Sequence, residues 1–276
     1  MLRRRDGARG RNMAEVTSSR TSWQVTRSVW HALFMREALA RIATGRAGWL
    51  WLLLEPAAHV AFLMLLFSFL QRGSVPGTQF ALFLAIGLLG FRFFMNAGQR
   101  SAAALSANRG LLGYRQVKAV DTVLVRAVLE GLITLFVLIV LLAGVALVGF
   151  DVLPHDPLKA LEAYGILWIM GVGYGLVVSV GVALVPEIDK VFSLISTPLY
   201  FASGVFFSPA MLPPVAQEWL LYNPVIHGLE LARAAFFPEY HLVQGVSDGY
   251  LTAFSFSMLL FGLALHRRFA AKLAEQ

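Results

Sequence analysis

The chain has 276 residues, of which 58% are apolar and 14% are charged, and it contains no cysteine. So small a charged fraction excludes an ordinary soluble domain, and the lack of cysteine excludes disulfides and thiolate metal sites. The net charge of +7 would suit a nucleic-acid-binding protein if the basic residues gathered on one folded face. They are instead distributed between apolar segments, so the composition indicates an integral membrane protein without a nucleic-acid partner.

The N-terminal part precedes every long apolar segment. Residues 1–21 are basic and polar with no apolar centre, which predicts a disordered tail rather than a cleavable signal peptide. At the start of residues 22–48, Thr21 and Gln24 have the spacing of a capping box. Tryptophans and arginines follow, so we predict an amphipathic helix on the cytoplasmic lipid surface. A cytosolic extension of the first span is the alternative.

Six segments are long and apolar enough to cross a bilayer, because a hydrocarbon core about 30 Å thick needs about 20 apolar residues as a helix. They are Leu50–Leu70, Gln79–Ala97, Leu124–Gly149, Tyr164–Val185, Val191–Ser208 and Gly249–His266. The predicted fold is therefore an all-α membrane protein, with residues 49–276 as one six-span domain. Lys and Arg concentrate at alternating ends of the spans, which places both termini in the cytoplasm.

The segment between spans five and six, residues 209–248, is long, half apolar and interrupted by prolines. Asn223 followed by Pro224 is typical of a helix start, and it predicts a helix running on to Ala235. His227, Glu230 and Arg233 would share one face of that helix and could suggest a metal site. With no second histidine nearby and no cysteine, we predict a capped structural helix without metal. Re-entrant or interfacial helices on the outer face are expected here.

Several ionisable groups lie inside the predicted spans at similar depth on the cytoplasmic side. Glu55 and His59 belong to span one, Arg92 to span two and Glu130 to span three. An isolated charge in hydrocarbon costs a few kcal/mol or more. We therefore predict an inner charge layer in which either Glu55 or Glu130 neutralises Arg92. Snorkelling of these side chains to the interface is the alternative.

Span five combines hydroxyl groups at helical spacing on an otherwise apolar helix. These residues are Ser193, Ser196, Thr197, Tyr200 and Ser203. We predict that the hydroxyl stripe lines a translocation path, and hydrogen bonding between helices is the alternative. In span four, Gly171, Gly175 and Ser179 recur every four residues, which predicts a seam of close helix packing.

Motifs for catalysis are weak. The chain lacks the Gly-x-x-x-x-Gly-Lys-Ser/Thr loop, so it cannot bind ATP phosphates by that route. The run Phe201-Ala202-Ser203-Gly204 is one glycine short of the Gly-x-Ser-Gly of intramembrane serine proteases, and no histidine is clearly placed beside it. We predict a protein that is not an enzyme, with such a protease as a distant alternative.

Two longer runs are similar to a known family. Trp49-Leu50-Trp51-Leu52-Leu53-Leu54-Glu55-Pro56 resembles the opening of span one in membrane subunits of ABC exporters for surface polysaccharides, in the ABC type-2 transporter family. The stretch from Ser203 to Arg233 resembles the same family, and Asn108 matches a further family position. Asn223, Pro224, His227, Glu230 and Arg233 are more similar to capsule (KpsM-type) exporters than to O-antigen exporters. The resemblance covers nearly all of residues 22–270.

This resemblance implies a permease subunit that exports a lipid-linked, acidic capsular polysaccharide across the bacterial inner membrane to the periplasm. Two copies would form the channel as a homodimer, and two separate ATP-binding cassette subunits would hold ATP and Mg, leaving this chain without a cofactor. Periplasmic polysaccharide export proteins would be further partners. The alternatives are an O-antigen or teichoic-acid exporter and a small-molecule or lipid efflux permease of the ABC class.

The same resemblance assigns roles to particular side chains. The path would be lined by Trp51, Arg92 and the hydroxyl stripe of span five, with the polymer passing between the two copies along spans one and five. The cytoplasmic loop between spans two and three would include the coupling helix received by the ATPase. Its expected coupling residues are Arg100, Asn108, Arg109, Tyr114 and Arg115.

Overall fold

The computed structural model describes residues 21–42, 48–69, 78–147 and 149–275, apart from the side chains of Ser22, Ile42, Trp49 and Ser68. The basic tail predicted for residues 1–21 lies outside the described residues except for Thr21, and so does the predicted end of span one at Leu70. The described residues are helical and contain no strand. The prediction of an all-α fold is confirmed.

The described helices follow one another with short connections. In chain order they are α1 (Ser22–Ile42), α2 (Gly48–Phe69), α3 (Phe80–Met95), a π-helical turn (Asn96–Arg100), α4 (Ala104–Ala107), α5 (Arg109–Leu112), α6 (Ala119–Leu147), α7 (Pro157–Leu184), α8 (Ile188–Ala202), a 3-10 turn (Pro209–Met211), α9 (Pro214–Leu220), α10 (Pro224–Phe236), α11 (Asp248–Arg268) and α12 (Ala270–Ala274).

Among these helices, five are long and apolar enough to cross a membrane: α2, α3 with its π-helical turn, α6, α7 and α11. The predicted span five corresponds to α8, which has 15 residues and is therefore about 22 Å long. It ends at Ala202 and not at the predicted Ser208, because the chain turns at Gly204, whose φ of +70° does not continue a right-handed helix. A sixth crossing stays a prediction.

Span four begins earlier than predicted. Helix α7 starts at Pro157 and not at Tyr164, so it takes up half of residues 150–163, the interval between predicted spans three and four. The Asp156 carboxylate accepts a hydrogen bond from the Lys159 amide at 3.1 Å, and Pro157 occupies the first helical position. An N-cap aspartate followed by proline is a strong local start signal, which apolar length alone did not reveal.

Helix α7 lies at the centre of the fold, between α3 with its π-helical turn on one side and α11 on the other. The close-packing seam predicted in span four is confirmed, since α7 has no room for a side chain at Gly171, Gly173 or Gly175. A Cβ added at Gly175 would clash with the Ser101 hydroxyl and lie 2.8 Å from the Gly98 carbonyl oxygen. One added at Gly173 would lie 2.6 Å from the Leu259 amide nitrogen of α11.

Helix α1 is held to the start of α6. The predicted capping box is present, with the Thr21 amide donating to Gln24 Oε1 at 3.1 Å and the Gln24 amide to Thr21 Oγ1 at 3.4 Å. The Trp30 indole donates to Asp121 Oδ1 at 3.0 Å. The helix ends at Ile42, and residues 43–47 of the predicted interfacial segment lie outside the described residues. Its position at the lipid surface stays a prediction.

Candidate translocation site

Helices α2 and α8 form the least covered side of the chain. Helix α8 has no buried residue, and most of α2 is exposed. Both present large apolar side chains, among them Trp51 and Phe62 of α2 and Leu194 and Phe201 of α8. Exposed apolar area of this extent requires lipid or another protein surface to cover it. We call it the α2–α8 face.

An ion pair lies beside this face, within the membrane-spanning helices. Arg92 Nη2 of α3 is 3.0 Å from Glu55 Oε1 of α2, and the two side chains are 18% and 61% exposed. Of the two partners that the sequence allowed for Arg92, the structure therefore provides Glu55. The Glu55 carboxylate is therefore open to the surroundings of the chain, while the Arg92 guanidinium is largely covered.

One turn beyond Glu55, His59 connects α2 to α8. Its Nε2 lies 2.9 Å from the Tyr200 hydroxyl, and the Tyr200 ring packs 4.9 Å from the ring of Phe91 in α3. The Phe206 ring also packs edge-on against the Tyr200 ring, with 4.8 Å between the ring centroids. Tyr200 is thus the member of the hydroxyl stripe that joins three helices.

The remaining hydroxyls of span five have different surroundings. Ser193 and Thr197 are exposed on the α2–α8 face, and Ser196 is half-buried and donates to the Ser193 carbonyl at 2.7 Å. Ser203 is buried, donates to the Leu199 carbonyl at 2.6 Å and accepts from Asn223 Nδ2 at 3.1 Å. Ser203 therefore holds the segment between α8 and α11, residues 209–248, which we call the outer segment. Ser193 and Thr197 are the members of the stripe whose side chains are exposed.

Glu130 does not pair with Arg92, the arginine considered in the sequence analysis, but lies among three other arginines. Its side chain is buried, with Oε1 3.4 Å from Arg41 Nε and 3.6 Å from Arg126 Nε, and Oε2 3.5 Å from Arg100 Nε. Arg126 also pairs with Glu37 of α1. These contacts join α1, α6 and the π-helical turn in what we call the Glu130 cluster.

The sequence contains a signal for this cluster in the spacing of its charged residues. Glu37 and Arg41 are four residues apart on α1, as are Arg126 and Glu130 on α6. Such spacing puts the members of each pair on one helix face. Two faces that each carry an acid and a base can dock reciprocally, and here Glu37 meets Arg126 while Arg41 meets Glu130.

Asn108, which was expected to couple to the ATPase, lies inside the chain. Its side chain accepts from Arg36 Nη1 at 2.6 Å and donates to Glu37 Oε1 at 2.8 Å and to the Ala104 carbonyl at 2.9 Å. It thereby ties the loop between α3 and α6 to α1. The other expected coupling residues of α5 and its flank, Arg109, Tyr114 and Arg115, are exposed.

The outer helix α10 begins where the sequence predicted. The Asn223 side chain accepts from the Val225 amide at 3.0 Å, and Pro224 is the first helical residue. His227 uses both ring nitrogens: one accepts from the Ser247 amide at 2.9 Å, and the other donates to the Leu221 carbonyl at 2.8 Å. Burial lowers the pKa of His227, partly opposed by the hydrogen bond to Leu221.

Glu230 and Arg233 form a buried pair that holds the turn after α8. Arg233 Nη1 is 3.1 Å from Glu230 Oε1, its Nη2 donates to the Val205 carbonyl at 2.9 Å, and the guanidinium lies 3.7 Å over the Phe83 ring. The Tyr240 hydroxyl donates to Glu230 Oε1 at 2.8 Å. Burial raises the pKa of Glu230, while Arg233 and Tyr240 act against that rise. Throughout the part of the chain that the structure describes, no cluster of metal-ligating residues occurs.

Comparison with known proteins connects this architecture to transport. Residues 28–237 match the profile of the ABC-2 type transporter family. The chain is 37% identical over 249 residues to the polysialic acid transport protein KpsM of Escherichia coli, covering 90% of this chain and 96% of that protein. It is 30% identical over 260 residues to the capsule polysaccharide export inner-membrane protein CtrC of Neisseria meningitidis serogroup B, covering 94% and 98%. It is 28% identical over 262 residues to the corresponding protein BexB of Haemophilus influenzae, covering 95% and 98%.

Proposed function

The chain belongs to the ABC-2 type transporter family, and from that premise we propose that it is the permease subunit of an ATP-driven exporter of lipid-linked, acidic capsular polysaccharide across the bacterial inner membrane. The observation that carries the proposal is similarity over nearly the whole length of proteins that transport polysialic acid or export capsule polysaccharide. A match confined to the membrane spans would fit any permease of an ABC transporter. The match to these capsule proteins also includes the outer segment.

The proposed path lies between two copies that meet along the α2–α8 face. The support is that both helices are little covered within a single chain, and that their polar groups sit where the copies would meet. Arg92 and Glu55 would lie at the inner part of the path, with Ser193 and Thr197 along its wall. Hydroxyls, aromatic rings and one paired charge suit a sugar polymer, which offers hydroxyl groups and an occasional carboxylate.

The partner ATPase would hold ATP and Mg and dock on the exposed cytoplasmic loop at Arg109, with Tyr114 beside it. Movement of that loop would pass to α1 through Asn108 and to α6 through the Glu130 cluster. The outer segment, from the 3-10 turn to α10, would face periplasmic export proteins. Both chain termini would lie in the cytoplasm, as the distribution of Lys and Arg predicts.

The function is tested in cells that lack the gene and carry a plasmid copy. Wild-type protein should restore surface capsule, detected with an antibody or lectin, and deletion should leave polymer inside the cell. Arg92→Ala should lower surface capsule at normal membrane abundance. Lys159→Ala, a change of an exposed cation at the outer end of α7, should not. Normal capsule in the deletion strain, with loss of a different surface glycan or of drug efflux, would overturn the assignment.

The dimer is tested by crosslinking between single introduced cysteines. The chain has no cysteine of its own that would interfere. Leu194→Cys on α8 and Leu158→Cys on α7 place single thiols at side chains that are 76% and 74% exposed. A short bifunctional thiol reagent in membranes should link two Leu194→Cys chains and leave Leu158→Cys monomeric. Equal crosslinking of the two variants would reject the α2–α8 face as the interface.

Docking of the ATPase is tested by co-purification. Arg109→Glu should reduce the amount of ATPase recovered with the tagged permease, since it replaces a positive charge on the exposed loop by a negative one. Lys159→Glu makes the same charge change at the other end of the molecule and should retain the ATPase. If both variants retained it, the docking surface would have to lie elsewhere.

A further inference from the structure

A cavity of about 580 Å³ lies between the cytoplasmic loop before α6 and the end of α11. The loop contributes one wall and the last turns of α11 with α12 contribute the other. Its lining consists of Leu112, Tyr114, Arg115, Val117, Lys118, Ala119, Val120, Leu263, His266, Arg267, Ala270 and Ala274. It is separate from the α2–α8 face and from the Glu130 cluster, so the proposed transport path does not account for it.

The charge of the lining is of one sign. Arg115, Lys118 and Arg267 are exposed cations, and no Asp or Glu lines the cavity. Across the described part of the chain, no carboxylate comes within ion-pair distance of any of the three. Asp121, which lies close in sequence, is engaged by the Trp30 indole and by the backbone amide of Lys118. The cavity therefore offers three cations to an anion.

His266 adds a further polar group to the lining. It is 4% exposed, and its Nε2 lies 3.0 Å from the Ser179 hydroxyl, which itself donates to the Leu176 carbonyl. The ring must then donate through Nε2. Its buried Nδ1 has no hydrogen-bond partner among the described residues.

The rest of the lining is apolar and continuous with the protein core. Leu112 and Val120 belong to a cluster of packed side chains that also includes Leu263. A small, fully hydrated anion would gain nothing from such a wall. A molecule with a phosphate at one end and hydrocarbon behind it would match both parts of the cavity.

The cavity also lies at the depth of lipid headgroups. Ala119 begins α6 and Arg268 ends α11, and both helices are long and apolar enough to cross the membrane. The lining therefore sits at the ends of two spans on one side of the membrane. Basic pockets between spans on the cytoplasmic side are suited to anionic headgroups, because the cytoplasmic leaflet supplies them.

We propose that this cavity binds an anionic phospholipid of the cytoplasmic leaflet, with its headgroup phosphate against Arg115, Lys118 and Arg267 and its acyl chains along α6 and α11. The site is independent of the transported polymer. The charge complementarity favours this occupant over an acidic segment of the partner ATPase, because a peptide would leave the apolar wall unmatched.

The experiment measures lipid bound to the full-length protein by native mass spectrometry in detergent. Phosphatidylglycerol should give a retained one-lipid complex at concentrations where phosphatidylcholine does not. Lys118→Gln and Arg267→Gln should each weaken phosphatidylglycerol binding about fivefold, and the double variant about thirtyfold. Lys118→Arg keeps the charge and should bind as the wild type does, which ties the effect of Lys118→Gln to the lost positive charge.

Arg268→Gln is the matched control, since Arg268 neighbours Arg267 on the same turn but does not line the cavity. If it weakened binding as much as Arg267→Gln, the attraction would be a property of the whole basic surface and the site would be rejected. Displacement of the lipid by an equal concentration of inorganic phosphate would reject the role of the acyl chains. Loss of ATPase co-purification with unchanged lipid binding in the double variant would assign the cavity to the ATPase instead.

Discussion

Replacement of Glu230 by alanine tests how the outer segment is held. In the structure, Glu230 Oε1 accepts from Arg233 Nη1 at 3.1 Å and from the Tyr240 hydroxyl at 2.8 Å. Arg233 has no exposed surface, so its charge is not solvated by water once the carboxylate is removed. Two backbone carbonyls and the Phe83 ring remain beside the guanidinium, and none of them carries a compensating charge.

The expected cost follows from this geometry. Removing one member of a buried ion pair destabilises a protein by about 3–5 kcal/mol, because the other charge stays buried without its partner. Tyr240→Phe leaves the ion pair in place and removes a hydroxyl that lies 2.8 Å from both Glu230 Oε1 and Ser208 Oγ, so it should cost about 1.5–3 kcal/mol. Replacing both charges, in Glu230→Leu with Arg233→Met, removes the uncompensated charge. The double variant should therefore be more stable than Glu230→Ala.

The assay is thermal unfolding of the purified protein in detergent, followed by tryptophan fluorescence. A loss of 3–5 kcal/mol corresponds to a fall in Tm of about 6–20 °C for a chain of this size. Glu239→Ala, a change of an exposed carboxylate in the same outer segment, is the control and should leave Tm unchanged. The reasoning is refuted if Glu230→Ala melts within 2 °C of the wild type, about the shift expected for 1 kcal/mol or less.

Three further predictions concern other parts of the molecule. Gly175→Ala should lower Tm, because its Cβ would lie 2.8 Å from the Gly98 carbonyl oxygen, whereas Gly165→Ala on the same helix meets no atom within 4 Å and should not lower it. Glu37→Ala should speed hydrogen exchange in α1, since Glu37 is the buried acceptor for Asn108 and Arg126, and unchanged exchange would contradict that. Because the pKa of His227 is lowered in the folded protein, the unfolded chain binds more protons, and stability should fall as the pH drops below about 6.5. Unfolding measured at several pH values should show a smaller fall for His227→Gln.

The fold could be predicted where a single sequence signal decided the outcome. Apolar length located the long helices, and the Asn223-Pro224 pair located the start of α10. Apolar length could not locate helix ends, because these depend on local chemistry. The Asp156 N-cap started α7 early, and the positive φ of Gly204 stopped α8 short of the length that a full crossing requires.

The site was less accessible to sequence reasoning, because depth along a helix does not determine which neighbour a side chain faces. Glu55 and Glu130 lie at similar distances from the predicted ends of their spans. In the structure, however, Glu55 meets Arg92, and Glu130 meets the arginines of α1, α6 and the π-helical turn. Asn108 was expected to contact the ATPase because it matches a family position in the loop to which the resemblance assigns coupling. Its burial against α1 could be seen only once the loop and the helix were in place.

The buried polar contacts of α1 bear on how force could pass through this protein. Four arginines, Arg36, Arg41, Arg100 and Arg126, share two carboxylates and Asn108. If α1 separated from α6, Glu37 would lose Arg126 and Glu130 would lose Arg41, while Glu130 would keep Arg100 and Arg126. Removing the partner of a charge that stays buried costs about 3–5 kcal/mol. Sliding the loop past α1 would in turn strand the Asn108 amide. The loop, α1 and the inner end of α6 should therefore move as one body, so a push on the exposed turn at Arg109 would reach the membrane helices without being absorbed locally.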